Sequence, residues 1–379
     1  MIKIDSPITI LEFGSTSARL VIFDKLKLNQ NLSYEKKIDF SKKENLEENH
    51  PVFDLIIKAE NEIDKHLNEI LLVLDSPSIN SLDISIKRNY EKKNITKKDL
   101  DYLINECQHL VNKFNIEKEV IHILTSKIKF DDETVEFLEN VSRQVNQVII
   151  ELKFILIDKH HINYIKKLLL NKHISLKNIY CASYIKCLGL INKLKISQYN
   201  SFIDIGYKKS TLLIFENSKL LYLNNIHIGG DLITKDISKI LNIDYIDAEA
   251  KKIKFSEVNK YENNTDDEKL LKNIINSRLE EIIELLFNNC PLTKNKFFDN
   301  NLNLYFTGQG SKVLNENDLS FGSDFTFIKE MSIIEENYKD CCESALKFNI
   351  DLEKIKSKKQ EISLENKGFF EKLFEYFSN

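Results

Sequence analysis

Apolar residues in this chain gather in short runs set off by turn residues. "PITILEF" (7–13) and "ARLVIF" (18–23) flank Gly14-Ser15-Thr16, which predicts a strand, a tight turn and a second strand. "SFIDIGYKKSTLLIFENSKL" (201–220) repeats the layout. Each copy has an apolar run, an acid (Glu12, Asp204), one residue, a glycine (Gly14, Gly206), a few polar residues and another apolar run. Two copies in register, half a chain apart, predict two related α/β domains facing each other across a cleft.

Between the copies, residues 52–75 read as an amphipathic helix running into a strand. Residues 81–146 then read strand, helix, strand, strand. Thr96 is placed to cap that helix with Asp99 at the third position, ahead of Leu100, Leu103, Ile104, Cys107 and Val111 on one face. This is the pattern of a small α+β insertion. "VIIELKFILID" (148–158) reads as a return to a core strand, followed by a helix at "HHINYIKKLLLNKH" and a closing segment "YIKCLGLI".

In the second half, residues 226–241 predict a strand, a Gly-Gly turn and a helix, 247–255 a short helix, and 263–268 a polar loop. A long amphipathic helix is expected over 269–290, and "LNLYFTGQGSKV" (302–313) reads as a strand delivering a glycine turn into a helix. "EENYKDCCESALKF" is the closing helix, and residues 351–366, polar and aperiodic, read as a linker.

The last block, "KGFFEKLFEYFSN" (367–379), differs from everything before it. On a helix, Phe369, Phe370, Leu373, Phe374 and Phe377 share an arc of about 140°, with Glu371, Lys372 and Glu375 opposite. Such a helix is too short to cross a bilayer and would lie in its interface. The plainer alternative is a terminal helix docked on its own protein.

Composition narrows the class. With 379 residues, 42% of them hydrophobic and 30% charged, the chain has the make-up of a soluble two-domain protein. The net charge of −4, with lysines scattered among acids, argues against nucleic acid as a partner. Six cysteines without CxxC spacing point to reduced thiols rather than a zinc site or a disulfide frame. No basic start followed by an apolar run appears at the N-terminus, and no uncharged apolar stretch reaches membrane-span length, so a cytoplasmic protein is expected.

The candidate chemistry lies in the turns. Backbone N–H groups of a tight turn cradle phosphate oxygens, and an acid at a strand end can hold a hydrated Mg²⁺. Gly14, Ser15 and Thr16 suit that work, with Glu12 as the acid. In the second turn Asp204, Gly206 and Thr211 are placed for it, although Tyr207, Lys208 and Lys209 fill the position where small residues would be expected. Gly229, Gly230 and Asp231 precede a helix, and Gly308, Gln309, Gly310 and Ser311 follow a strand; both turns allow close backbone approach to an anion. Glu249 and Lys252, three apart on one helix face, would flank a purine. Each of these alone also reads as a plain hairpin, a structural turn or a solvated ion pair.

Their order is informative. Acid-x-Gly, insertion, acid-x-Gly, "GGDLIT", "AEAKK", "INSRLEEI" and "TGQGS" resemble the motif series of the actin and Hsp70 fold. The chain resembles most closely the FtsA family of bacterial actin-like cell-division proteins, most specifically from the Gly-Gly turn to Lys252. The resemblance implies an actin/Hsp70-like two-domain α/β ATPase fold with a small α+β insertion and a C-terminal amphipathic helix. It divides the chain into subdomain 1A (1–80 and 147–195), inserted subdomain 1C (81–146), subdomain 2A (196–238 and 296–350), subdomain 2B (239–295), a linker (351–366) and a membrane-targeting helix (367–379). It implies ATP and Mg²⁺ in the cleft, with Glu12 and Asp204 at the metal. Glu12, Gly14, Ser15 and Thr16 would form the first phosphate loop, and Asp204, Gly206 and Thr211 the second. Gly229, Gly230 and Asp231 would meet the ribose and phosphate edge. Glu249 and Lys252 would flank the adenosine, and Gly308, Gln309, Gly310 and Ser311 would close over it. It also implies filaments, docking of the FtsZ C-terminal peptide on residues 239–295, contacts of later division proteins with 81–146, and a place on the cytoplasmic side of the inner membrane at the division site.

Departures from the pattern set the expected activity low. The second loop carries Tyr207-Lys208-Lys209 in place of small residues, and "IYCASYIKCLG" offers no acid to activate water, so weak hydrolysis at most is expected. Two other readings of the same superfamily remain open: a soluble scaffold resembling the pilus protein PilM, and a sugar kinase or exopolyphosphatase.

Overall fold

Both hairpins form as the apolar runs require. The computed structural model describes residues 7–24, 32–39, 50–135, 142–194, 199–258, 265–288, 290–294, 302–314, 325, 327–335 and 340–365. In it β1 (Pro7–Phe13) pairs antiparallel with β2 (Ser17–Asp24), and β10 (Tyr199–Ile205) with β11 (Ser210–Glu216). The first sheet adds β3 (Leu32–Asp39), β4 (Glu69–Leu74) and β9 (Ser175–Cys181) in the order β3-β2-β1-β4-β9. The second adds β12 (Lys219–Ile226), β13 (Leu302–Thr307) and β14 (Ile328–Ile333) in the order β12-β11-β10-β13-β14. In each sheet three antiparallel strands continue into two parallel ones, so the repeat seen in the hairpins extends to five strands. β3 and β14 are edge strands whose mixed polar pattern gave no strand signal.

Residue alternation sorts the second sheet onto two cores. Ile203, Ile205, Leu212 and Ile214 pack with α5 (Gly230–Leu241) and α7 (Asp266–Asn288), beside α6 (Tyr245–Val258). Phe202, Leu213 and Phe215 point the other way and join the core of the first sheet. Between the sheets run α4 (Ala182–Leu194) and α8 (Asp340–Glu365), contributing Tyr184, Cys187 and Leu190 and Cys341, Cys342 and Ala345 to that shared core. The helices touch at Gly189, where a β-carbon would stand 1.8 Å from Ser344 Oγ. α1 (Pro51–Ile63) covers the first sheet, and α3 (Lys159–Leu170) leads into β9.

The insertion is a four-stranded sheet, β5 (Asn80–Thr96), β8 (Ser142–Asp158), β6 (Lys118–Phe130) and β7 (Glu133–Val135), backed by α2 (Lys97–Phe114). Asp99 Oδ2 accepts from Thr96 N at 2.9 Å, so the predicted cap forms. The strand at 148–158 differs from expectation. It is part of β8 and belongs to the insertion's sheet, so the expected boundary at 146/147 falls inside a strand. Leu152, Phe154 and Leu156 face the insertion's core while Ile155 and Ile157 face that of the first domain. A strand apolar on both faces carries no sign of which sheet it joins.

Two further expectations are corrected. After β13 the chain makes only a short 3-10 turn, Gln309–Val313, because Gly308 at φ 93° leaves the right-handed region and Gly310 weakens any helix after it. The stretch 351–365, expected to be aperiodic, is helical: α8 continues through it to Glu365, a run free of proline and glycine that a helix accepts readily. The amphipathic segment 367–379, with Phe369, Phe370, Leu373, Phe374 and Phe377, lies outside the described residues. Among those described, no helix is long and apolar enough to cross a membrane.

Candidate functional site

The ends of β1, β4, β10 and β13 meet in the cleft between the two sheets. Asp75 N, just past β4, donates to Phe13 O at 3.1 Å, which fixes Asp75 beside the Gly14-Ser15-Thr16 turn. That turn is closed by Gly14 N donating to Ser17 O at 2.9 Å. Across the cleft the second turn closes the same way, Gly206 N to Lys209 O at 2.9 Å. A β-carbon on Gly206 would stand 3.6 Å from Asp75 Oδ2, so the two turns and Asp75 form one locus.

Two of the expected loops converge on the second turn. Gly230 N and Asp231 N, at the start of α5, donate to Gly206 O and Tyr207 O at 2.9 and 2.8 Å. Gly308 and Gly310 lie against Ile205 and Gly206 so closely that β-carbons would come within 2.4 and 2.5 Å of Ile205 atoms. Ser311 Oγ donates to Gly308 O at 2.8 Å, and Gln309 lies in the short turn between them. The helix N-terminal amides and the glycine turns are therefore engaged with the chain itself.

The charged residues are engaged likewise. Glu12, expected at a metal, lies opposite Arg19 on the neighbouring strand and is held by its guanidinium at 2.7 Å. Asp204, also expected at a metal, is held by Lys186 of α4 at 2.6 Å, with both side chains buried. Burial opposes ionisation of Asp204, but the ammonium groups of Lys186 and Lys209 outweigh it and keep the carboxyl below its usual range. Lys209, itself buried, pairs with Asp75 at 2.6 Å. Burial alone would lower the Lys209 pKa; Asp75, Cys181 and Asp204 raise it instead. Thr211 is fully buried opposite Asp204 in the strand register.

Glu249 and Lys252 pair with each other on α6. Lys252 is buried and donates to Gly230 O, Thr234 Oγ1 and Glu249 Oε2 at 2.9, 2.6 and 2.7 Å, fastening α6 to α5. Thr234 Oγ1 also donates to Glu249. Asp231 accepts from Tyr245 at 2.7 Å, and the Tyr245 and Tyr207 hydroxyls share a hydrogen bond of 2.6 Å. Tyr207 thus crowds the cleft by completing a chain of hydroxyls that ends on Asp231.

The donor set does not fit Mg²⁺. Among the described residues no three His, Cys, Asp or Glu side chains gather as ligands. The two acids expected at the metal each already hold a cation of the chain, and a dication would meet Lys186 and Lys209. Sequence reasoning missed Asp75 and Lys186, the two residues that settle this. Asp75 was visible as a third acid at a strand end, and Lys186 as the one charge in "ASYIKCLGLI", a segment otherwise apolar or small.

The duplicated five-stranded sheets, the helices between them and the turns meeting in the cleft define an actin-like ATPase fold. The chain superimposes on a chain of a PilM–PilN type IV pilus biogenesis complex with a TM-score of 0.59 at 13% identity, covering 90% of this chain and 98% of that one. A family model, "Cell division protein FtsA", matches residues 201–366, the second domain and α8. The FtsA proteins of two Helicobacter pylori strains, ATCC 700392 / 26695 and J99 / ATCC 700824, are each 22% identical over 167 residues. The match spans 42% of this chain and only 34% of the length of those relatives.

Proposed function

We propose that the chain is an actin-like adaptor of bacterial cell division. It assembles with copies of itself, holds the C-terminal peptide of FtsZ on residues 239–295, and rests on the cytoplasmic face of the inner membrane through residues 367–379. Later division proteins meet it through the insertion, 81–146. The observation that carries this reading is the FtsA family match over residues 201–366. The apolar arc of Phe369, Phe370, Leu373, Phe374 and Phe377 adds the lipid bilayer as a partner, and self-assembly would multiply a modest affinity per copy. Such an adaptor works by binding, and nothing in it requires turnover of ATP.

Two measurements test it. Full-length protein should pellet with anionic liposomes, and protein truncated after Asn366 should stay in the supernatant; equal pelleting sinks the tether. The FtsZ C-terminal peptide should bind the full chain in fluorescence anisotropy, and no binding sinks the adaptor.

One observation favours a second reading. A cavity of about 350 Å³ opens between β6 and β9, with Ile121, Ile123, Ile179 and Phe348 among its lining. β9 is the outer strand of its sheet, and an extended peptide can add to such an edge. In that reading the chain is a PilM-like scaffold for a partner's peptide, and deleting residues 367–379 leaves its cellular location unchanged.

A further inference from the structure

We infer that the cleft of this chain is closed by its own charges: the Lys209–Asp75 ion pair takes the place of a metal-bound nucleotide as the bridge between the two domains, and the closed arrangement forms without Mg-ATP. Lys209 stands on the β10–β11 turn of the second domain and Asp75 at the end of β4 in the first, 2.6 Å apart. The locus lies between the two turns whose amides would face phosphate. Lys186 and Asp204 form a second pair beside it at 2.6 Å. Together the four groups carry two positive and two negative charges, and Lys209 and Asp204 have their charged forms stabilised by these neighbours.

A neutral cluster, with Lys186, Lys209 and Asp204 buried and Asp75 at its half-buried edge, has no place for either half of Mg-ATP. A dication would face two ammonium groups. A triphosphate would compete with Asp75 and Asp204 for the same lysines and leave the buried Asp204 carboxylate without a partner. The helix N-terminus that would offer amides to phosphate already donates from Gly230 and Asp231 to the carbonyls of the second turn. The close approach of Gly229 to Gly206 O and Tyr207 O, where a β-carbon would stand 2.6 Å from each, leaves no gap for a ligand between them. The inference concerns the cleft alone and holds whichever partner the chain serves.

The test uses the full chain. Thermal unfolding and calorimetric titration are run with Mg-ATP, and with ATP in EDTA, at up to millimolar concentration. The expected result is no heat of binding and a midpoint unchanged within about 1 °C. Micromolar binding of either form, or a rise of several degrees, overturns the inference. Lys209→Met, Asp75→Asn and the double variant then probe the clamp. Each single change should lower the midpoint, and the double change should lower it by less than the sum. Hydrogen exchange at the amides of Gly206, Gly230 and Asp231 should speed up in Lys209→Met while that of α1 does not. Additive midpoints or unchanged exchange at those amides overturn the clamp. If a single variant does not fold, the nucleotide titrations of the unmodified chain decide alone.

Discussion

Lys186 Nζ lies 2.6 Å from Asp204 Oδ1, a lysine on a helix of the first domain holding the acid that ends a strand of the second. Removing one partner of a buried pair leaves a charge that burial penalises. Lys186→Met should therefore cost about 3–5 kcal/mol in urea unfolding, and Lys186→Met with Asp204→Asn should recover much of it. The pH dependence has a definite sign. The folded pKa of Asp204 is below its unfolded value, so the native state binds fewer protons there. Its contribution is present above about pH 4 and is lost as pH falls through the depressed folded pKa.

His122 carries a second pH signature. It is buried, its Nε2 accepts from Cys181 N at 2.9 Å, and burial pushes its pKa down to about 3. Between the unfolded value near 6.5 and the folded value, the unfolded chain binds the proton and the native chain does not. Stability should then fall as pH drops through that window, by up to about 1.4 kcal/mol per pH unit from this residue. His122→Gln should flatten the slope by one proton. An unchanged slope in pH-dependent denaturation would show that the imidazole charges freely in the fold.

Gly189 sets the spacing of α4 and α8. A β-carbon there would stand 1.8 Å from Ser344 Oγ and 2.7 Å from its Cβ. Gly189→Ala should destabilise by about 1–3 kcal/mol despite alanine's better helix propensity. Adding Ser344→Gly should restore part of the loss, and full additivity in denaturation would mean the helices are spaced by something else.

Gly229 and Gly230 should respond oppositely to alanine. At Gly229 a β-carbon would stand 2.6 Å from Gly206 O and from Tyr207 O; at Gly230 the nearest atom, Lys252 Nζ, is 3.6 Å away. Gly229→Ala should cost about 1–3 kcal/mol by pushing the second turn away. Gly230→Ala, inside a helix, should be neutral or stabilising by up to about 1 kcal/mol. Equal losses at both positions, seen in melting curves, would contradict this packing.

Much of the fold was legible because strand-sized apolar runs and turn residues are local signals. Glu12-x-Gly14 and Asp204-x-Gly206 announced the duplication, and Thr96 with Asp99 announced the start of α2. Features set by pairing across the chain escaped. β3 and β14 owe their existence to the strands beside them, and 142–158 joins the insertion by register rather than composition. The glycine turns were found, but their occupants were not. Lys186 and Lys209 gave no sign in the sequence of the acids of other elements that packing sets against them.

The continuity of α8 bears on how force passes through the molecule. Its 26 residues run from the shared core at Asp340 to Glu365, about 39 Å of unbroken helix. A rope transmits tension and leaves orientation free, whereas a rod transmits torque. The helix axis at Glu365 is set by the packing of the start of α8 against α4 and the two sheets, so a rotation of the body would turn that end of the rod with it.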